Sequence, residues 1–154
     1  MTIQDVKKLW LLVLSRDYST TEAPIAWKAF IKRCKAEHKS LDEVYASLKA
    51  TYDYRQTWRL GKMNKLYFNN ANGSEYEVLE KYFDEVMLLK TENNYYIVAR
   101  WIKGNEWGSG HYWMNNKEGA YNDFYQIVTD TLNERMEGRN YITINKVKEL
   151  YKEV

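Results

Sequence analysis

The chain has one cysteine, one proline and seven glycines in 154 residues. A lone Cys34 excludes an internal disulfide and fits a reducing compartment. Apolar runs are short: the longest, Leu9 to Leu14, spans six residues, where about twenty are needed to cross a bilayer. Lys7 and Lys8 precede it as in a signal peptide, but the run is shorter than a secretory core and Asp5 stands before them. The expectation is a soluble cytoplasmic protein with no membrane partner. With so few glycines there is no Gly-x-x-x-x-Gly-Lys-Ser/Thr loop, no Gly-x-Gly-x-x-Gly after a strand and no Gly-x-Ser-x-Gly elbow. Cys34 and His38 lie one helical turn apart, but no Cys-x-x-Cys or His-x-x-x-His accompanies them. Cys34 shares an apolar face with Phe30 and reads as packed core. No metal and no cofactor are expected.

Aromatic residues and an uneven charge distribution are what the chain does have. It carries fourteen Tyr, six Trp and four Phe. Tyr and Trp beyond the needs of a core are the composition of a contact surface, although Tyr also fills cores. Residues 1–70 hold thirteen Lys/Arg against seven Asp/Glu, a balance of +6, and residues 71–154 hold ten against fourteen, a balance of −4. A basic half on a near-neutral chain points to an acidic counterpart.

Periodicity assigns the elements. Ile3, Val6, Trp10 and Val13 recur at helical spacing behind a Thr2 cap. A second helix runs from about Ala23 to Glu37, with Pro24 in its first turn and Trp27, Phe30, Ile31 and Cys34 on one face. Ser40 to Glu43 is a capping box for a third helix bearing Leu41, Val44, Tyr45, Leu48 and Tyr52. Arg55, Arg59 and Lys62 would continue that apolar stripe, so a break is expected near Thr51 to Asp53, followed by a short helix ending at Gly61. Asn69 to Gly73 is the best sub-domain boundary, dividing one domain of 154 residues into 1–70 (basic, helical) and 74–154 (acidic). Ser74 and Glu77 predict a helix carrying Tyr76, Leu79, Tyr82 and Phe83. Val86 to Thr91 and Tyr95 to Ile102 then read as a hairpin, Gly104 to Gly110 as a mobile loop, and His111 to Met114 as a third strand. A long helix from about Glu118 to Glu137 and a short one holding Val147, Leu150 and Tyr151 close the chain. The class is α+β: N-terminal helices, a small antiparallel meander, C-terminal helices.

Lys28, Lys32, Lys35 and Lys39 recur at spacings of four, three and four and form a stripe beside the apolar face of the second helix. Arg55, Arg59, Lys62 and Lys65 extend the basic set, with Tyr54 and Trp58 interleaved. Lysine and arginine rows match phosphates, and aromatic faces stack unpaired bases. The same stripe suits an acidic protein surface, or a solvated helix face. The second and third helices have the spacing of a helix-turn-helix, but Asp42 and Glu43 would sit where such motifs meet DNA, which argues against duplex reading. The aromatic signature of RNA-binding sheets is absent from the hairpin. Trp107 on a glycine loop is a candidate partner anchor. His111 beside Glu106 has the chemistry of a general acid–base, without a nucleophile. Glu77, Glu80 and Asp84 at i, i+3 and i+7 on a helix have the chemistry of a Mg²⁺ site.

The expected function is a non-catalytic binding protein whose basic helices engage RNA, single-stranded DNA or a nucleoprotein through Lys28, Lys32, Lys35, Lys39, Arg55, Trp58, Arg59 and Lys62. The alternative is a phage or mobile-element inhibitor or adaptor, anti-CRISPR-like, that blocks a host protein such as a defence nuclease through surfaces including Trp107. A metal-dependent nuclease built on Glu77, Glu80, Asp84 and His111 is the third reading. The sequence leaves the oligomeric state open.

Overall fold

The computed structural model describes residues 1–55, 76–83, 85–103, 106–136 and 140–153. The α+β class holds: among the described residues the order is three α-helices, a four-stranded antiparallel sheet in the order β1-β2-β3-β4, and two further α-helices. The chain divides into two compact units, one made of Met1–Arg55 with Thr129–Val154 and the other of Gln56–Val128. No helix among the described residues is long and apolar enough to cross a membrane.

The first unit is built around α1 (Ile3–Val13). Its Thr2 hydroxyl accepts the Asp5 amide, and the Asp5 carboxylate accepts the Thr2 amide, a complete capping box. Leu9, Leu11, Leu12 and Val13 are wholly buried, each contributing about 1.5–3 kcal/mol of apolar transfer. Trp10 stacks on Tyr18 at 6.1 Å and meets Trp27 at 5.6 Å, which fixes α2 (Ala23–Ala36) against α1. Ser19 and Glu22 form a box of hydrogen bonds one turn before α2, a start signal carried by Ser-Thr-Thr-Glu. α2 ends with His38 in the left-handed region at φ 56°. The His38 amide donates to Lys35 and the Lys39 amide to Cys34, the paired bonds of a Schellman stop.

α3 (Leu41–Arg55) runs without the expected break at Thr51 to Asp53. An unpaired Arg55 on a buried stripe would be costly. That cost is avoided because the Arg55 guanidinium donates to both oxygens of Asp17, at 3.1 and 2.9 Å. Gly61, Lys65, the short helix to Leu60 and the 69–73 boundary lie outside the described residues. Tyr52 of α3 packs edge-on against Tyr151 of α5 (Ile144–Glu153), and the Tyr45 hydroxyl donates to Glu153. The Asn133 side chain receives the amides of Tyr141 and Ile142 and donates to the Ile142 carbonyl, which holds the extended link before α5.

The second unit corrects the segment after Ser74. It is not a helix but β1 (Glu77–Tyr82), paired with β2 (Val86–Lys90) from Glu77↔Lys90 to Tyr82↔Val86. A bulge between Val78 and Glu80 breaks the two-residue alternation, so the apolar positions mimic a helical spacing. The 104–110 segment is also corrected: β3 (Tyr95–Lys103) and β4 (Glu106–Met114) form one long hairpin, and 106–110 is strand rather than loop. Tyr76, Val78, Met87, Leu89, Ile97 and Ala99 make one buried cluster, with Trp107 packed on it. The other face of β4 meets α4 (Lys117–Glu134), whose Asp123 carboxylate accepts from Trp113 Nε1 at 3.1 Å. Gly119 permits this approach, since a Cβ there would lie 2.8 Å from the Trp113 ring.

Candidate nucleic-acid interface

α2 supplies the clearest charged surface. Its fourteen residues include Lys28, Lys32, Arg33 and Lys35 and no carboxylate. Trp27 and Cys34 are buried, which turns the opposite side outward. At about 100° per residue, Lys28, Lys32 and Lys35 fall within an arc of about 60° on that outer side. All three are exposed, and no carboxylate among the described residues pairs with them. Like charges at i,i+4 and i,i+3 repel by about 0.2–0.5 kcal/mol per pair, so the row carries an uncompensated repulsion that a bound anion relieves.

The rest of the basic set divides. Lys39 is paired with Glu37 at 3.1 Å. Arg55 is neutralised by Asp17, whose carboxylate raises the already high proton affinity of the guanidinium. Its charge is therefore already matched within the chain, unlike the charges of the α2 row. Trp58, Arg59 and Lys62 lie outside the described residues. Tyr54, on the last turn of α3, is 82 % exposed. Other cations of this unit lie over rings: Lys7 sits 4.7 Å and Lys8 5.8 Å from the Tyr141 centroid, and Lys49 lies 5.2 Å from Tyr45.

The remaining candidates change their meaning. Trp107 is not a loop-tip anchor. It is half-buried in β4, edge-on to Tyr76 at 5.4 Å, and its Nε1 donates to the Tyr112 hydroxyl. Gly110 leaves room for that pair, since a Cβ would come within 2.9 Å of both groups. Cys34 is buried, and His38 is committed to the helix stop rather than to a thiol or a metal. Glu77 and Glu80 fall on one side of β1 through its bulge, not through helical spacing. Burial first, and then the Glu80 charge, raise the proton affinity of the Tyr121 phenol. Asp84 lies outside the described residues, and no group of three potential metal ligands exists among them. Glu80 and His111 share one row across the sheet through Leu88 and Val98. Three strand spacings, about 14 Å, separate them.

His111 is partnered not by Glu106 but by Asp123 of α4, its Nδ1 lying 2.8 Å from Oδ2. The signal for this lay in α4 itself: Asp123 borders an apolar stripe of Ala120, Phe124, Ile127 and Val128, and a half-buried carboxylate there needs a donor. Comparison with protein-family models, with curated proteins and with solved structures finds no match for the chain.

Proposed function

We propose that this chain is a non-catalytic binding protein that engages single-stranded nucleic acid, alone or within a nucleoprotein, through the outer face of α2. The observation that carries the reading is a fourteen-residue helix with four cationic side chains, no carboxylate, and three aligned lysines without an ion-pair partner among the described residues. Each lysine neutralises one phosphate and releases its counterion, which is the main source of affinity for a polyanion. Tyr54 adds an open ring suited to stacking. The helix-turn-helix alternative is disfavoured by Asp42 and Glu43 in the first turn of α3.

A second reading has one observation in its favour. Ile25, 68 % exposed, lies on the same outer side of α2 as Lys32, and an apolar centre beside charges suits an acidic protein partner of the inhibitor or adaptor kind. Fluorescence anisotropy with a labelled oligo(U) separates the two. The first reading expects binding at low salt that is lost when Lys28, Lys32 and Lys35 are replaced by Gln. No affinity of the wild-type chain at low salt removes it.

A further inference from the structure

The hairpin of β3 and β4 holds a second constellation, independent of α2. Arg100 and Ser109 are Cα partners, placing them about 5 Å apart. His111 follows Ser109 by two residues, about 7 Å along the same face, the face on which His111 and Trp113 meet Asp123. The Arg100 Nε–H is buried and meets no acceptor among the described residues. Buried donors are almost always satisfied in folded proteins, so an orphan marks a place where an acceptor is to be supplied. The Arg100 guanidinium lies 5.1 Å from the Trp101 ring centroid. Trp101 is 68 % exposed and holds φ at 54°, the left-handed region that bulky residues rarely enter. One edge of the indole lies over Gly108, where a Cβ would come within 3.5 Å of the ring, while most of it stays open to solvent on a strained backbone, and such strain gathers at ligand sites. His111 is fixed by Asp123 through Nδ1, which leaves Nε2 as the free ring nitrogen, a donor when the ring is protonated.

We propose that this end of the β3–β4 hairpin binds the phosphate of a nucleotide, with the Arg100 guanidinium, the Ser109 hydroxyl and His111 Nε2 as donors and Trp101 as the platform for the base. Three donor groups suit the three terminal oxygens of a phosphomonoester, and guanidinium geometry favours such oxoanions. The adjacent open ring selects a phosphate carried on a flat heterocycle over the bare ion. A free mononucleotide and the phosphorylated end of a single strand share this chemistry.

The test titrates the full chain with uridine 5′-monophosphate, uridine, inorganic phosphate, benzoate and a 5′-phosphorylated oligo(U), read by tryptophan fluorescence and calorimetry. Uridine monophosphate is expected to saturate and to bind about tenfold or more tighter than uridine or phosphate alone, since ring and anion each contribute. Arg100→Gln is expected to weaken it by about tenfold or more, and Trp101→Leu to weaken it and remove most of the quenching. The exposed Trp101 makes its variant safe for folding should Arg100→Gln prove unstable. The Lys28, Lys32 and Lys35 triple variant is expected to bind uridine monophosphate normally, so failure of one site is distinguishable from failure of the other. A phosphorylated oligonucleotide that outcompetes the mononucleotide identifies the strand end as ligand, and the reverse order identifies the free nucleotide; either supports the site. The proposal is overturned if no phosphate ligand saturates, if benzoate binds as tightly as the nucleotide, or if Trp101→Leu binds like the wild type.

Discussion

Replacing His38 by glycine should make the protein more stable. His38 sits at the first position past the Glu37 C-cap of α2 with φ 56°, and its amide and that of Lys39 close the helix by donating to Lys35 and Cys34, both at 3.1 Å. A residue with a Cβ in the left-handed region is strained by about 1–2 kcal/mol. Glycine removes that strain but gives back about 0.5–1 kcal/mol through the greater freedom of the unfolded chain. The balance is a gain of about 0.5–1 kcal/mol, or roughly 1–4 °C in melting temperature for a chain of this size. Urea unfolding followed by far-UV circular dichroism reads it as a higher midpoint at unchanged slope. His38→Ala keeps the Cβ and should gain nothing. An unchanged or lowered midpoint for His38→Gly would refute the backbone argument. Equal stabilisation by Ala would trace the effect to the imidazole instead.

Three further outcomes follow from the same geometry. Thr2 amide and hydroxyl bonds hold the Asp5 carboxyl below its ordinary range. Its stabilising effect is therefore present above about pH 4 and lost as pH falls through the folded value. Thr2→Ala should cost about 1 kcal/mol at neutral pH and flatten the acid limb of a stability–pH profile; an unaltered limb counts against the capping box. Burial raises the proton affinity of the phenols of Tyr45, Tyr121 and Tyr141, with Glu153 adding to the effect at Tyr45. Raised phenols stabilise the fold below about pH 10 and lose that contribution above it. A phenolate absorbance titration should show a late fraction that becomes ordinary in denaturant, and Tyr45→Phe should shrink it. Trp107→Ala should destabilise by about 2–4 kcal/mol through lost packing on Tyr76 while leaving oligonucleotide affinity of the folded protein unaltered; an intact melting temperature would restore Trp107 as a surface residue.

The helices were legible in the sequence because their signals are local. Thr2, Pro24 and Ser40 mark starts, and the buried faces of α1, α2 and α3 repeat at 3.6 residues. The α2 lysine row was legible for the same reason, since spacing on one helix fixes which side chains share a side. What local pattern does not encode is tertiary partnership. Arg55 looked like a cause for a break because Asp17, 38 residues earlier, is its partner. β1 looked helical because a bulge hid its alternation. The three glycines of 104–110 suggested a loop, whereas Gly110 is there to admit the Trp107 and Tyr112 side chains into a strand pair. Asp123 escaped notice because its meaning depends on which helix covers which face of the sheet.

The salt dependence of single-stranded oligonucleotide binding tests the central claim about α2 most directly. Each lysine that meets a phosphate adds about −0.7 to the slope of log K against log salt. The wild-type chain should bind with a steep negative slope, and replacing Lys28, Lys32 and Lys35 together by Gln should make it shallower by roughly 2. Equal slopes for the two proteins would contradict the assignment of these lysines to phosphate contacts.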